Sequence, residues 1–190
     1  MKNKLCLFVC IFVLTVDLGQ AQTKGELTDF FQAEVSQFRR TGAYAEVEAT
    51  CQSLAKKYPD AVRCFSFGQT AEGRPIYALA VSRSGALTPA QARRAGLPVV
   101  LAIGGTHAGE IDGKDAGLIL IRDMLRKNST ADPLKQQIFL FVPVFNVDGH
   151  ERTSPYNRPN QNGPSLQGER VTAQRINLNR DWMLGQSSEM

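Results

Sequence analysis

Histidine is scarce in this chain: its 190 residues contain two, His107 and His150. Any imidazole chemistry therefore rests on one or both of those positions. Basic runs are also missing. No stretch of Lys and Arg exceeds two residues and the formal charge is only +4, which leaves no electrostatic footprint for nucleic acid. No internal repeat is visible, so the chain does not read as a repeat array. No apolar run reaches the ~18 residues that a membrane-spanning helix needs.

The longest apolar run, "LCLFVCIFVLTV", lies near the start. It follows the basic "MKNK" and precedes "GQA", which sets small residues at Gly19 and Ala21. That order predicts an export signal over residues 1–21, cleaved after Ala21, rather than a membrane anchor. The mature chain then has no stable anchor and is periplasmic or extracellular. No cysteine follows the cleavage point directly, so no lipoprotein is indicated. Cys6 and Cys10 leave with the signal, and Cys51 and Cys64 remain. Export permits a disulfide between them. Two buried free thiols are the other reading, and neither cysteine has metal-ligand spacing.

What is present predicts one globular domain over residues 22–190. Hydrophobic residues make up 43% and charged residues 21%, enough for a core and too mixed for disorder. "LTDFFQAEVSQFRR" and "YAEVEATCQSLAKKYP" read as amphipathic helices, the second ended by Pro59. "VRCFSFG" and "PIYALAVS" read as a hairpin around "TAEGR". "PVVLAIGG" is a continuous apolar run, which predicts a strand buried on both faces. A helix over "GEIDGKDAGLILIRDMLRK" and a strand over "DPLKQQIFLFVPVFN" follow. Strand–helix–strand order predicts a parallel pair. The fold class is thus α/β, with a mixed, largely parallel sheet flanked by helices. From Val147 onward the chain is rich in Asn, Arg, Pro and Gly, and it begins where a strand ends. In open α/β sheets that edge binds ligands.

Three constellations carry possible chemistry. In "GGTHAGE", His107 and Glu110 stand three apart, which puts an imidazole and a carboxylate on one side of a helical turn. Both are good Zn²⁺ ligands, although a catalytic zinc takes three protein ligands and a water. In "FNVDGHER", Asn146 and Asp148-Gly149 form a turn after a buried strand. In "INLNRDW", Asn179 and Arg180 set an amide beside a guanidinium suited to a carboxylate. Arg170 lies upstream, an arginine available to an oxyanion, with Arg158 and Arg175 as rivals.

Together, these motifs and the lead-in "YAEVEATCQSLAKKYPDAVRCFSFGQTAEGRPIYALAVS" resemble the zinc carboxypeptidase family, the metallocarboxypeptidases of the M14 type. The resemblance runs from about Tyr44 to Trp182. "GGTHAGE" is similar to the family's G-x-H-x-x-E element, "FNVDGHER" to N-P-D-G with Val147 in place of Pro, and "NLNRDW" to N-x-N-R-x-[FW]. It implies that His107 and Glu110 bind Zn²⁺. Asn179 and Arg180 would hold the terminal carboxylate of a peptide substrate, and Arg170 would polarise the scissile carbonyl. The implied reaction is zinc-dependent hydrolysis of the last peptide bond.

The family's third zinc ligand and general base lie downstream, and no histidine follows His150 here. His150 reads as a surface histidine beside Glu151 rather than a ligand. The chain is therefore expected to be the N-terminal portion of a catalytic domain, incomplete or inactive alone, with part of its sheet uncovered. Two other readings are a zinc-dependent deacylase of N-acyl amino acids and a non-catalytic module that binds carboxylates.

Overall fold

The structure, a computed structural model, describes residues 30–127 and 131–190. The expected export signal, residues 1–21, lies outside the described residues. Among the described residues, no helix is long and apolar enough to cross a membrane.

Helices α1 (Gln32–Val35) and α2 (Tyr44–Lys57) precede a hairpin of β1 (Val62–Gln69) and β2 (Pro75–Val81). Then come α3 (Pro89–Ala95), β3 (Val99–Ile103), α4 (Asp112–Arg126), β4 (Ile138–Val142) and α5 (Val147–Glu151). The strands form one sheet in the order β1-β2-β4-β3. β1 and β2 pair antiparallel, as do β2 and β4, while β3 and β4 run parallel. The sheet is therefore mixed, as expected, but it is not largely parallel: two of its three pairings are antiparallel, and the parallel part is the β3–α4–β4 crossover.

Two helices cover one face of the sheet. α2 buries Val47, Cys51 and Leu54 at helical spacing and ends with Lys56 and Lys57, whose charge suits a helix C-terminus. α4 buries Leu118, Ile121 and Leu125 against the same core. A methyl group at Gly117 would stand 2.1 Å from the Phe141 ring, so only glycine lets α4 lie this close to β4. A disulfide joins Cys51 of α2 to Cys64 of β1, with their Cα atoms 5.3 Å apart.

Three further expectations need correction. The first amphipathic helix is only four residues long within the described segment, because Gln37 and Phe38 take left-handed backbone angles that stop it. β3 is not buried on both faces. It is an edge strand, and Val99 and Leu101 are more than half exposed. The helix read from Gly109 begins at Asp112, which leaves His107–Glu110 on a turn of its own.

The parallel pair positions the site. Beyond β3 and β4, the two chains stay in register through bonds from Gly104 N to Val142 O, Phe145 N to Gly104 O and Asn146 N to Gly105 O. His107 and Asn146 thus leave the sheet side by side, at the carboxyl ends of the parallel strands.

Candidate functional site

The turn from His107 to Glu110 is closed by a bond from Glu110 N to His107 O. His107 is buried. Its Nδ1 lies 3.2 Å from Glu110 Oε1 and 3.3 Å from Oε2. Its Nε2 lies 3.0 Å from Asn177 Oδ1. That same oxygen accepts from the backbone N–H of Asn179, which fixes it as the acceptor end of the amide. His107 Nε2 must then carry the proton and donate it to Asn177. The lone pair of Nδ1 is left pointing toward a carboxylate. Two electron-rich groups face each other at 3.2–3.3 Å, and this contact is favourable only with a cation between them, either a proton or a metal ion. Two ligands of one tetrahedral zinc stand roughly 3.4 Å apart. The donor types, their orientation and their separation therefore fit such an ion. Among the described residues, no group of three or more His, Cys, Asp and Glu side chains gathers as a metal site.

Asn177 escaped the sequence reading. Its only signal was its place two residues before Asn179 in "NLNR". It caps the short turn Leu178–Arg180 and thereby ties Asn179 and Arg180 to His107. Phe145 stacks on Trp182 at 5.8 Å and seats the end of that turn against the sheet. Arg180 is exposed, and among the described residues the one hydrogen bond of its guanidinium is to the Asn179 carbonyl oxygen. Its guanidinium has no acidic partner among the described residues.

The structure separates the three arginine rivals. Arg170 is half exposed, with Nη1 3.8 Å from Glu110 Oε1, so it stands at the mouth of the site. Arg158 is largely buried and places Nη2 2.5 Å from the same oxygen. Arg175 is far more exposed and reaches Glu169, at 3.5 Å, rather than Glu110. Partial burial pushes the Glu110 carboxyl up. The Arg158 guanidinium pulls it down, and the group lies below the ordinary carboxylate value.

Backbone crossings set these positions. A methyl on Gly109 would stand 2.6 Å from Gly168 O, and one on Gly168 would stand 2.7 Å from Gly149 O and 2.9 Å from Ala108 O. Glu169 N also donates to Gly149 O. Three main-chain segments cross here with no side chain between them, which brings Arg170 beside Glu110. Asp148 is fully buried and accepts from Thr70 Oγ1, Glu72 N and Arg74 Nη1. This fastens the "TAEGR" hairpin turn to the "VDGHE" helix. His150, expected at the surface, is buried. Its Nδ1 lies 2.8 Å from Glu151 Oε1 and its ring meets Tyr44 edge-on, so it belongs to the packing of α5 on α2.

An α/β sheet with a His–Glu pair and an Asn–Arg turn at its parallel edge defines the class. A family model described as zinc carboxypeptidase matches residues 47–189, and the chain belongs to that family. Carboxypeptidase B of Astacus astacus is 25% identical over 140 residues, covering 73% of this chain and 43% of that protein. Carboxypeptidase D of Anas platyrhynchos is 29% identical over 120 residues, covering 60% and 8%. Among solved structures, a metallo-carboxypeptidase from Burkholderia cenocepacia shares the fold with a TM-score of 0.54 at 24% identity, covering 76% of this chain and 34% of that one. Carboxypeptidase A from Helicoverpa armigera gives a TM-score of 0.50 at 28% identity, covering 57% and 25%. The chain spans less than half the length of each of these relatives.

Proposed function

We propose that this site serves zinc-dependent removal of the last residue from a peptide with a free terminal carboxylate. The observation that carries the reading is the His107–Glu110 pair, held with its lone pairs converging because His107 Nε2 donates to Asn177 Oδ1. His107 Nδ1 and the Glu110 carboxylate would hold the metal. When bound, zinc supplies Lewis acidity and a water acidified to a pKa of about 7.

The chain's own residues do the rest of the work assigned here. Arg180, free of acidic partners among the described residues, would take the substrate carboxylate through paired N–H bonds, with the Asn179 amide beside it. This grip fixes the peptide's end in register with the metal pair, because Asn177 joins the two. Arg170, loosely held and exposed, would stabilise negative charge on the carbonyl oxygen under attack. The Cys51–Cys64 disulfide supports an oxidising location, in keeping with export.

The test is the zinc content of the purified chain and its binding of a peptide with a free terminal carboxylate. Stoichiometric zinc that is lost in His107→Ala supports the reading. Binding of a C-terminal carboxylate without any metal would replace it with the carboxylate-binding module.

A further inference from the structure

Arg158 has no role in the proposed reaction, yet it makes the shortest contact at the site. Its Nη2 takes Glu110 Oε1 at 2.5 Å; both carboxylate oxygens lie near His107 Nδ1, Oε1 at 3.2 Å and Oε2 at 3.3 Å, so Oε2 is the oxygen left without the guanidinium. The Glu110 side chain is 48% exposed, whereas that of Arg158 is 16% exposed. The carboxylate is the freer partner and the guanidinium the anchored one.

Several contacts anchor it. The Arg158 stem runs against the bare backbone of Gly109, where a methyl would come within 2.7 Å of its Cγ. Gln161 Nε2 donates to Gly109 O at 3.0 Å, and Gln161 N donates to Arg158 O. Asn157 Nδ2 bonds the carbonyl oxygens of Arg152 and Gln167, which closes the base of this loop. The loop is therefore stapled to the turn that carries the metal pair.

We propose that Arg158 is a positioning residue. It occupies one oxygen of Glu110 and thereby aims the other, with His107 Nδ1, at the metal. The inference rests on the zinc reading above. Two effects oppose each other. A guanidinium charge near the site disfavours a divalent cation, while a fixed carboxylate binds one with less loss of freedom. Partners that orient metal ligands typically set affinity by about 10- to 100-fold. The anchored geometry of Arg158 and the exposure of Glu110 favour orientation as the larger effect.

Zinc titration of the full chain against a competing chelator tests this, with the Co²⁺ absorption spectrum as the report on ligand geometry. Arg158→Met keeps the stem that packs on Gly109 and removes every donor. The expected result is zinc binding weakened about tenfold or more, with an altered Co²⁺ spectrum. Unchanged or tighter binding overturns the inference. Arg158→Gln provides a second variant if Met is not tolerated, with the same expectation. Wild-type chain that binds no zinc, or binding that survives His107→Ala, would instead remove the zinc reading itself.

Discussion

Asn177 Oδ1 lies 3.0 Å from His107 Nε2 and 3.1 Å from the amide nitrogen of Asn179. One oxygen therefore selects the histidine tautomer and also starts the turn that presents Arg180. Replacing Asn177 with Ala is expected to weaken zinc binding by about 10- to 100-fold and to loosen the carboxylate grip as well. Asn177→Asp keeps the acceptor and should retain most of the affinity. Equal zinc titrations for wild type and Asn177→Ala would refute the link.

Removing the Arg180 guanidinium should act on substrate rather than metal. Arg180→Met is expected to leave zinc stoichiometry intact while weakening the binding of a peptide with a free carboxylate. The loss of a bidentate charged contact corresponds to about 1.5–3 kcal/mol. A peptide amidated at its end should be insensitive to the change. Binding titrations with the free and amidated peptides distinguish the two outcomes.

Leu118 of α4 is fully buried in the core beneath β4. Leu118→Ala is expected to destabilise the fold by about 2–5 kcal/mol, read from denaturant unfolding at equilibrium. A loss under 1 kcal/mol would mean that α4 is not packed as described.

The Cys51–Cys64 disulfide spans a sequence separation of 13. Closing a loop of this size stabilises a fold by roughly 3 kcal/mol through the unfolded chain. A Cys51→Ala, Cys64→Ala double variant should unfold at lower denaturant concentration by that amount. A reducing agent should lower the wild type and leave the variant unmoved.

Glu34 is held by a two-pronged contact from Arg122, at 2.5 and 2.8 Å, which joins α1 to α4. The Arg122 hydrogen bond is the main cause of its carboxyl lying below the ordinary value of 4.5. The unfolded chain therefore binds this proton more readily than the folded one. The pair's contribution is complete above about pH 4.5 and fades as pH falls through the lower folded value. Glu34→Gln should cost on the order of 1 kcal/mol at pH 7 and flatten the acid limb of the stability curve. Unfolding series at pH 7 and below compare the slopes.

Much of the fold was legible because its signals are local. The turn residues "TAEGR" between β1 and β2, the 3.6-residue spacing in α2 and α4, and Pro59 as a stop signal each act within a few residues. What failed depends on distant partners. An apolar run such as "VVLAI" announces a strand, but not whether a neighbour covers it. Glu151 made His150 look like a surface residue, while the ring in fact packs on Tyr44, a hundred positions earlier in the chain. The motif residues His107, Glu110 and Arg170 do meet, but the spacing alone could not rank Arg158, Arg170 and Arg175. Their ranking comes from how a loop folds back over Gly109. Asn177 was invisible because asparagine before an Asn–Arg pair has no periodicity, and its worth lies in one oxygen shared between two segments.

The glycine crossing of Gly109, Gly149 and Gly168 carries a practical consequence for anyone redesigning this protein. The site is assembled by main chain against main chain, so its parts behave as a single interlocked piece. Grafting a substrate-binding loop from a relative onto residues 152–167 alone would transplant the arginines without their seat. A successful chimera would move the three crossing segments as one cassette, with their glycines, and leave the loop tips as the region free to vary.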